Sequence, residues 1–106
     1  MITKKICDFW TDQLPIGWRE ITEEMFDRIL EIVNNDPDTY ADWCIMDCKE
    51  KYGSGRLYLN YINDEIDTII HDWEERTGDT CVNCGKPATH DTEGYILPFC
   101  DGCDNG

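Results

Sequence analysis

Four cysteines near the C-terminus carry the clearest chemistry in this sequence. They stand as Cys81-Val82-Asn83-Cys84 and, after fifteen intervening residues, Cys100-Asp101-Gly102-Cys103. A gap of two residues lets a tight turn aim two thiolates at one ion while its N–H groups donate to the sulfurs. Two such knuckles facing each other complete a tetrahedron. Cys81, Cys84, Cys100 and Cys103 are therefore expected to hold one structural Zn2+, with Gly85 and Gly102 supplying backbone freedom at the turns. Four thiolates close the shell, whereas catalytic zinc keeps a position open for water. The nearest catalytic pattern is that of zinc deaminases, H-x-E with P-C-x-x-C. Both halves miss: His90 leads into Asp91-Thr92-Glu93, and Phe99 separates Pro98 from Cys100. No catalytic residue is assigned, and a non-enzymatic protein is expected.

The remaining cysteines, Cys7, Cys44 and Cys48, bring the total to seven. An odd number suits reduced thiols better than a disulfide framework. Cys44 and Cys48 read as small core residues rather than a second metal site, and His71 as a partly packed polar residue. The sequence has no signal-peptide pattern and no long apolar run, so a cytoplasmic protein of a bacterial host is expected.

Charge is the second strong signal. The chain has 23 acidic and 9 basic residues, a net charge of −14. The first twenty residues balance, whereas residues 21–80 carry 16 acids and 5 bases. Nucleic-acid affinity comes mainly from Lys and Arg neutralising phosphates, so direct binding to DNA or RNA is disfavoured. A basic protein surface is the complementary partner. The acids expected to meet it are Asp64, Glu65, Asp67, Asp72, Glu74 and Glu75, and secondarily Glu23, Glu24, Asp27 and Glu31. The plain alternative is that these acids only solvate a helix face. Trp10 and Trp18 are candidate aromatic anchors if exposed; otherwise they pack in the core.

These residues need elements to position them. Residues 7–20 read as an ordered, irregular lead-in around Pro15-Ile16-Gly17. A helix is expected from Thr22 as N-cap, with Ile21, Met25, Ile29 and Val33 in one row flanked by Phe26 and Leu30, ending before Pro37. Residues 43–62 read as a hairpin around Gly53-Ser54-Gly55, with Leu57, Leu59 and Tyr61 on one face. A second helix follows Asn63 as N-cap. Its apolar positions are Ile62, Ile66, Ile69, Ile70 and Trp73, with Gly78 just past its end. Tyr95-Ile96-Leu97 is expected as a short strand into the second knuckle. The fold class is α+β: two amphipathic helices and a β-hairpin with a C-terminal four-cysteine zinc ribbon. Residues 1–78 form the acidic α+β region and 79–106 the ribbon packed on it, as one unit.

Order and spacing in the second half resemble a family of short phage and bacterial proteins with C-terminal zinc ribbons. The likeness is carried by Lys49-Glu50-Lys51-Tyr52-Gly53, Arg56-Leu57-Tyr58-Leu59, Cys81-Val82-Asn83-Cys84-Gly85-Lys86-Pro87 and Leu97-Pro98-Phe99-Cys100. Ser54 in the glycine turn and the heavier acidic load depart from it. In character the chain is also similar to small acidic anti-CRISPR inhibitors, some of them zinc-stabilised. That resemblance implies stoichiometric binding to an effector such as a type II RNA-guided nuclease, whose channels are positively charged. Two other functions fit the same residues: a structural or adaptor zinc-ribbon module, and a nucleic-acid-binding ribbon, although Lys86 is the only base after residue 80.

Overall fold

The computed structural model describes residues 4–103. Its elements run α1 (Lys4–Thr11), a 3-10 turn (Ile16–Trp18), α2 (Arg19–Asn35), β1 (Ile45–Lys51), β2 (Ser54–Leu59), α3 (Asp64–Gly78), β3 (His90–Asp91) and β4 (Pro98–Phe99). The fold is α+β, with one helix more than the sequence predicts. α1 and α3 lie against the β1–β2 hairpin, and α2 packs on both of them. The described residues extend 50 Å along the longest axis and 23 and 18 Å across. No helix among them is long and apolar enough to cross a membrane.

The expected irregular lead-in is instead a helix and a 3-10 turn. α1 turns Cys7 and Thr11, four residues apart, into the core, and Thr11 Oγ1 donates to Cys7 O (2.9 Å). α2 then starts at Arg19, three residues before Thr22, because the 3-10 turn leads directly into it. Thr22 is thus not a cap. It is fully buried and accepts the indole N–H of Trp73 at 3.0 Å. Met25, Phe26, Ile29, Leu30 and Val33 form the buried face, as their spacing predicts.

The hairpin turns at Tyr52-Gly53, one residue earlier than expected, so Ser54 and Gly55 belong to β2. Tyr52 (φ 54°) and Gly53 (φ 84°) both have positive φ, the pattern of a type I′ turn that matches the twist of a hairpin. The register pairs Cys48 with Leu57 on the buried face and Lys49 with Arg56 on the other, and breaks between Ile45 and Asp47. That irregularity separates the fates of two cysteines: Cys48 is buried, while Cys44, just outside the strand, is exposed rather than a core residue. Tyr61 also lies beyond the strand and is exposed, with its ring edge-on to Tyr40 at 5.7 Å.

α3 follows the sequence closely. Asn63 caps it, its side chain accepting from Ile66 N at 2.8 Å. Ile66, Ile69, Ile70 and Trp73 are buried; Ile62, before the cap, is exposed. Gly78 is the last helical residue rather than the one beyond, and Asp79 follows with φ −107°, so no left-handed cap forms. His71 stands on the outer side, exposed, with Nε2 3.5 Å from Asp67 Oδ1, not packed as expected.

Candidate metal centre

The two cysteine pairs converge. The sulfurs of Cys81, Cys84, Cys100 and Cys103 all lie within 4.8 Å of one another. The Cys84 and Cys100 sulfurs are 3.5 Å apart. Around an ion with metal–sulfur distances of about 2.3 Å, a tetrahedron has sulfur–sulfur edges of about 3.8 Å. The quartet therefore has the size, count and donor type that suit a metal ion.

The first knuckle is built locally. Gly85 N donates to Cys81 O (3.1 Å) and Cys81 N to Lys86 O (2.8 Å), which closes the turn. Gly85 has φ +81°, the freedom expected of it; Gly102 does not lie in that region. The second knuckle closes with Cys103 N donating to Cys100 O (3.2 Å). β4, which leads into it, is Pro98–Phe99 paired with His90–Asp91, three residues later than the expected Tyr95-Ile96-Leu97 strand, none of whose residues is in a strand. The knuckles are joined by Val82 N donating to Pro98 O (3.0 Å). Asn83 Nδ2 reaches Cys103 Sγ at 3.4 Å, a donor aimed at a sulfur. His90 comes near the second knuckle, its Nδ1 3.6 Å from Asp101 Oδ1, and is not one of the clustered donors.

Local electrostatics favour thiolate at one position. Burial pushes the Cys81 thiol up, but N–H groups of Cys100, Cys84 and Asn83 outweigh it and hold the thiol down at about 6. At Cys103 the Asn83 side chain pulls down, but hydrogen bonding with Cys100 and Cys84 raises the thiol to about 12. One negative charge settled on the quartet resists a second, and a cation at the centre removes that resistance.

One part of the site lies far away in sequence. Gly17 N donates to Val82 O (2.8 Å), and Trp18 Nε1 to Thr80 O (3.0 Å). A Cβ at Gly17 would collide with Cys81 O and stand 2.7 Å from the carbonyl carbon of Val82. The Pro15-Ile16-Gly17-Trp18 segment is thus seated on the first knuckle, and only glycine permits that approach. Trp18 is fully buried there and Trp10 is half-buried against the core, so neither serves as an exposed anchor.

The candidate docking acids fall on two neighbouring helices. Asp64, Glu65, Asp67, Asp72 and Glu75 are exposed on α3, and Glu24, Asp27 and Glu31 on α2. Glu23 is half-buried, and Glu74 is turned toward Arg56 Nη1 at 3.3 Å. Arg76 meets Glu24 (3.0 Å) and Arg28 meets Asp72 (3.9 Å). Between the helices runs an open groove of about 570 Å³, with Ile32 and Ile69 in its lining and Glu31 and Glu65 beside them.

Comparison with family models, curated proteins and solved structures finds no match to this chain.

Proposed function

We propose that this protein is a non-enzymatic inhibitor of phage type. In this reading it binds a basic surface of a host defence protein through its acidic helices and carries one structural Zn2+. The observation that carries the reading is the pairing of α2 with α3. Together they hold eleven acidic and three basic side chains and lie side by side. A broad surface of one sign steers an oppositely charged partner and selects against like-charged ones. The partner to test first is an RNA-guided nuclease of the type II CRISPR class, because its nucleic-acid channels are lined by positive charge. Binding there would block loading of nucleic acid or a later conformational step.

Zinc is the metal favoured by four thiolates in a tetrahedral arrangement. Its role is to staple the C-terminal segment, and in small peptides such sites supply about 10–16 kcal/mol of apparent binding free energy. Free thiols elsewhere in the chain suit the reducing cytoplasm of a bacterial host.

Three measurements test the proposal. The purified protein is expected to capture a type II effector nuclease and to suppress its DNA cleavage at near-equal molar ratio. Failure of both ends the inhibitor reading and leaves the adaptor one. In a low-salt gel shift, no complex with DNA or RNA is expected; a clear one would favour the nucleic-acid-binding ribbon instead. Elemental analysis should find one zinc per chain, and chelation should lower the melting temperature by about 10 °C or more. A melting curve indifferent to chelation would remove the staple.

A further inference from the structure

Three exposed side chains lie near one another where Gly53 and Glu50 of the hairpin tip touch the segment between the knuckles. Tyr52 is 69% exposed, Tyr95 61% and Ile96 44%. Gly53 packs so closely on Ile96 that a Cβ there would lie 3.0 Å from Ile96 O and 3.3 Å from its Cγ2. The Tyr95 hydroxyl donates to Glu50 Oε1, and the same carboxylate accepts Gly53 N at 2.9 Å. The hydrogen bond to Glu50 pushes the Tyr95 phenol above its usual range, with burial, the Glu50 charge and nearby Tyr52 adding to it. The aromatic surface is thus fixed in place rather than loosely displayed.

Tyr52 is at odds with its backbone. The first position of a type I′ turn favours Asn, Asp or Gly, yet here a bulky aromatic takes φ 54°. Strain kept at an exposed aromatic points to a use for the side chain rather than to the turn. Large exposed tyrosines held in a set orientation are the usual material of binding hot spots.

We infer that Tyr52, Tyr95 and Ile96 form the aromatic anchor of the partner interface and receive an arginine of the basic partner. The inference rests on the basic-partner reading above and names the side chain recognised. Tyrosine faces attract cations, and Arg adds planar stacking that Lys lacks. One ring here already receives a cation, the Lys51 ammonium, 5.7 Å from the Tyr52 centroid. Glu50 lies beside Tyr95, and Glu93 is exposed two residues before it. The metal then has a second role. Tyr95 and Ile96 sit between Cys84 and Cys100, so a metal closing the quartet would tie down both ends of the segment that rests on Gly53 and Glu50.

Two twelve-residue peptides, alternating Arg-Gly and Lys-Gly, serve as probes of equal charge against the zinc-loaded full chain. The Arg peptide should bind at least fivefold more tightly and move the ring signals of Tyr52 and Tyr95 in an NMR titration. Tyr52→Asn suits the turn better, so it should keep the melting temperature or raise it while losing that preference at least threefold. Reversal of Glu65, Asp67 and Glu75 to Lys should leave the preference unchanged. Equal affinity for the two peptides overturns the inference, as does a preference that survives Tyr52→Asn. Ring shifts produced by a twelve-nucleotide oligo-dT rather than by the Arg peptide would also overturn it. Failure to capture a nuclease, with the arginine preference intact, would refute the nuclease partner and not the anchor.

Discussion

Gly17 shows how one side chain, or its absence, can decide whether the metal segment docks. Its amide is bonded to Val82 O, and a methyl group there would run into the backbone of Cys81 and Val82. Backbone atoms cannot swing aside as a flexible side chain can. Gly17→Ala is expected to cost about 1–3 kcal/mol in urea unfolding. It should also speed loss of the metal to a competing chelator. Unchanged stability and unchanged metal release would show that the contact does not hold the knuckle. A second residue-scale effect concerns the core thiols. Burial, with lesser repulsion from Asp8 and Asp27, pushes Cys7 up to about 11; burial and Asp47 push Cys48 to about 12. Both are raised above the ordinary value of 9.0, so the folded state holds protons there that the unfolded chain releases first. Their stabilising contribution is complete below pH 9 and declines as pH rises through 11 to 12. Each ionising thiol adds a slope of about 1.4 kcal/mol per pH unit within that window. Cys7→Ala with Cys48→Ala should flatten the decline between pH 9 and 11. An identical slope in the double variant would refute the assignment.

At the scale of elements, the caps and faces explain what can be read in advance. α3 announces itself by Asn63, by the acids in its first turn and by apolar residues at helical spacing; all are local signals. Asn63→Ala removes the bond to Ile66 N and the one Asn63 Nδ2 donates to Tyr40 OH, and should cost about 1–2 kcal/mol in chemical denaturation. Asn63→Asp keeps the capping oxygen and should return most of that loss; equal costs for both would mean the cap contributes nothing. The quartet is equally legible, because a doubled two-residue gap is a local geometric requirement. α1 is not, being eight residues long with Cys, Phe, Trp and Thr among them, residues of modest helix propensity. Its helicity comes from packing on α2 and β1. Nor can the sequence show that Gly17 meets Val82, far along the chain, or that Gly53 at the hairpin tip meets Ile96. For the same reason the sequence does not show that Tyr52 and Tyr95 are exposed while Trp18 lies inside. Thr22 is ambiguous in sequence because its hydroxyl can cap a helix or satisfy a buried indole, and only the tertiary neighbour decides which.

For the whole molecule the governing quantity is where the net charge of −14 lies. Eleven of the acids belong to α2 and α3, and individual ion pairs within that surface, such as Arg28 with Asp72, are exposed and contribute little to stability. Their collective field is what a partner meets. At physiological salt it reaches about 8 Å beyond the surface, short against the 50 Å extent of the described residues. Reversing charge on this helical face should therefore be felt by a partner docking there and little by one docking elsewhere. Glu65→Lys, Asp67→Lys and Glu75→Lys change exposed positions only and bring the net charge from −14 to −8. The triple variant should keep the melting temperature within a few degrees. Its association with the proposed basic partner should slow by about tenfold or more at low salt. The dependence of affinity on ionic strength should flatten, since fewer opposed charges remain to be screened. An affinity and a salt slope equal to those of the wild type would show that the acids of α3 only solvate the helix. The partner would then have to be held at the tyrosines of the hairpin tip alone.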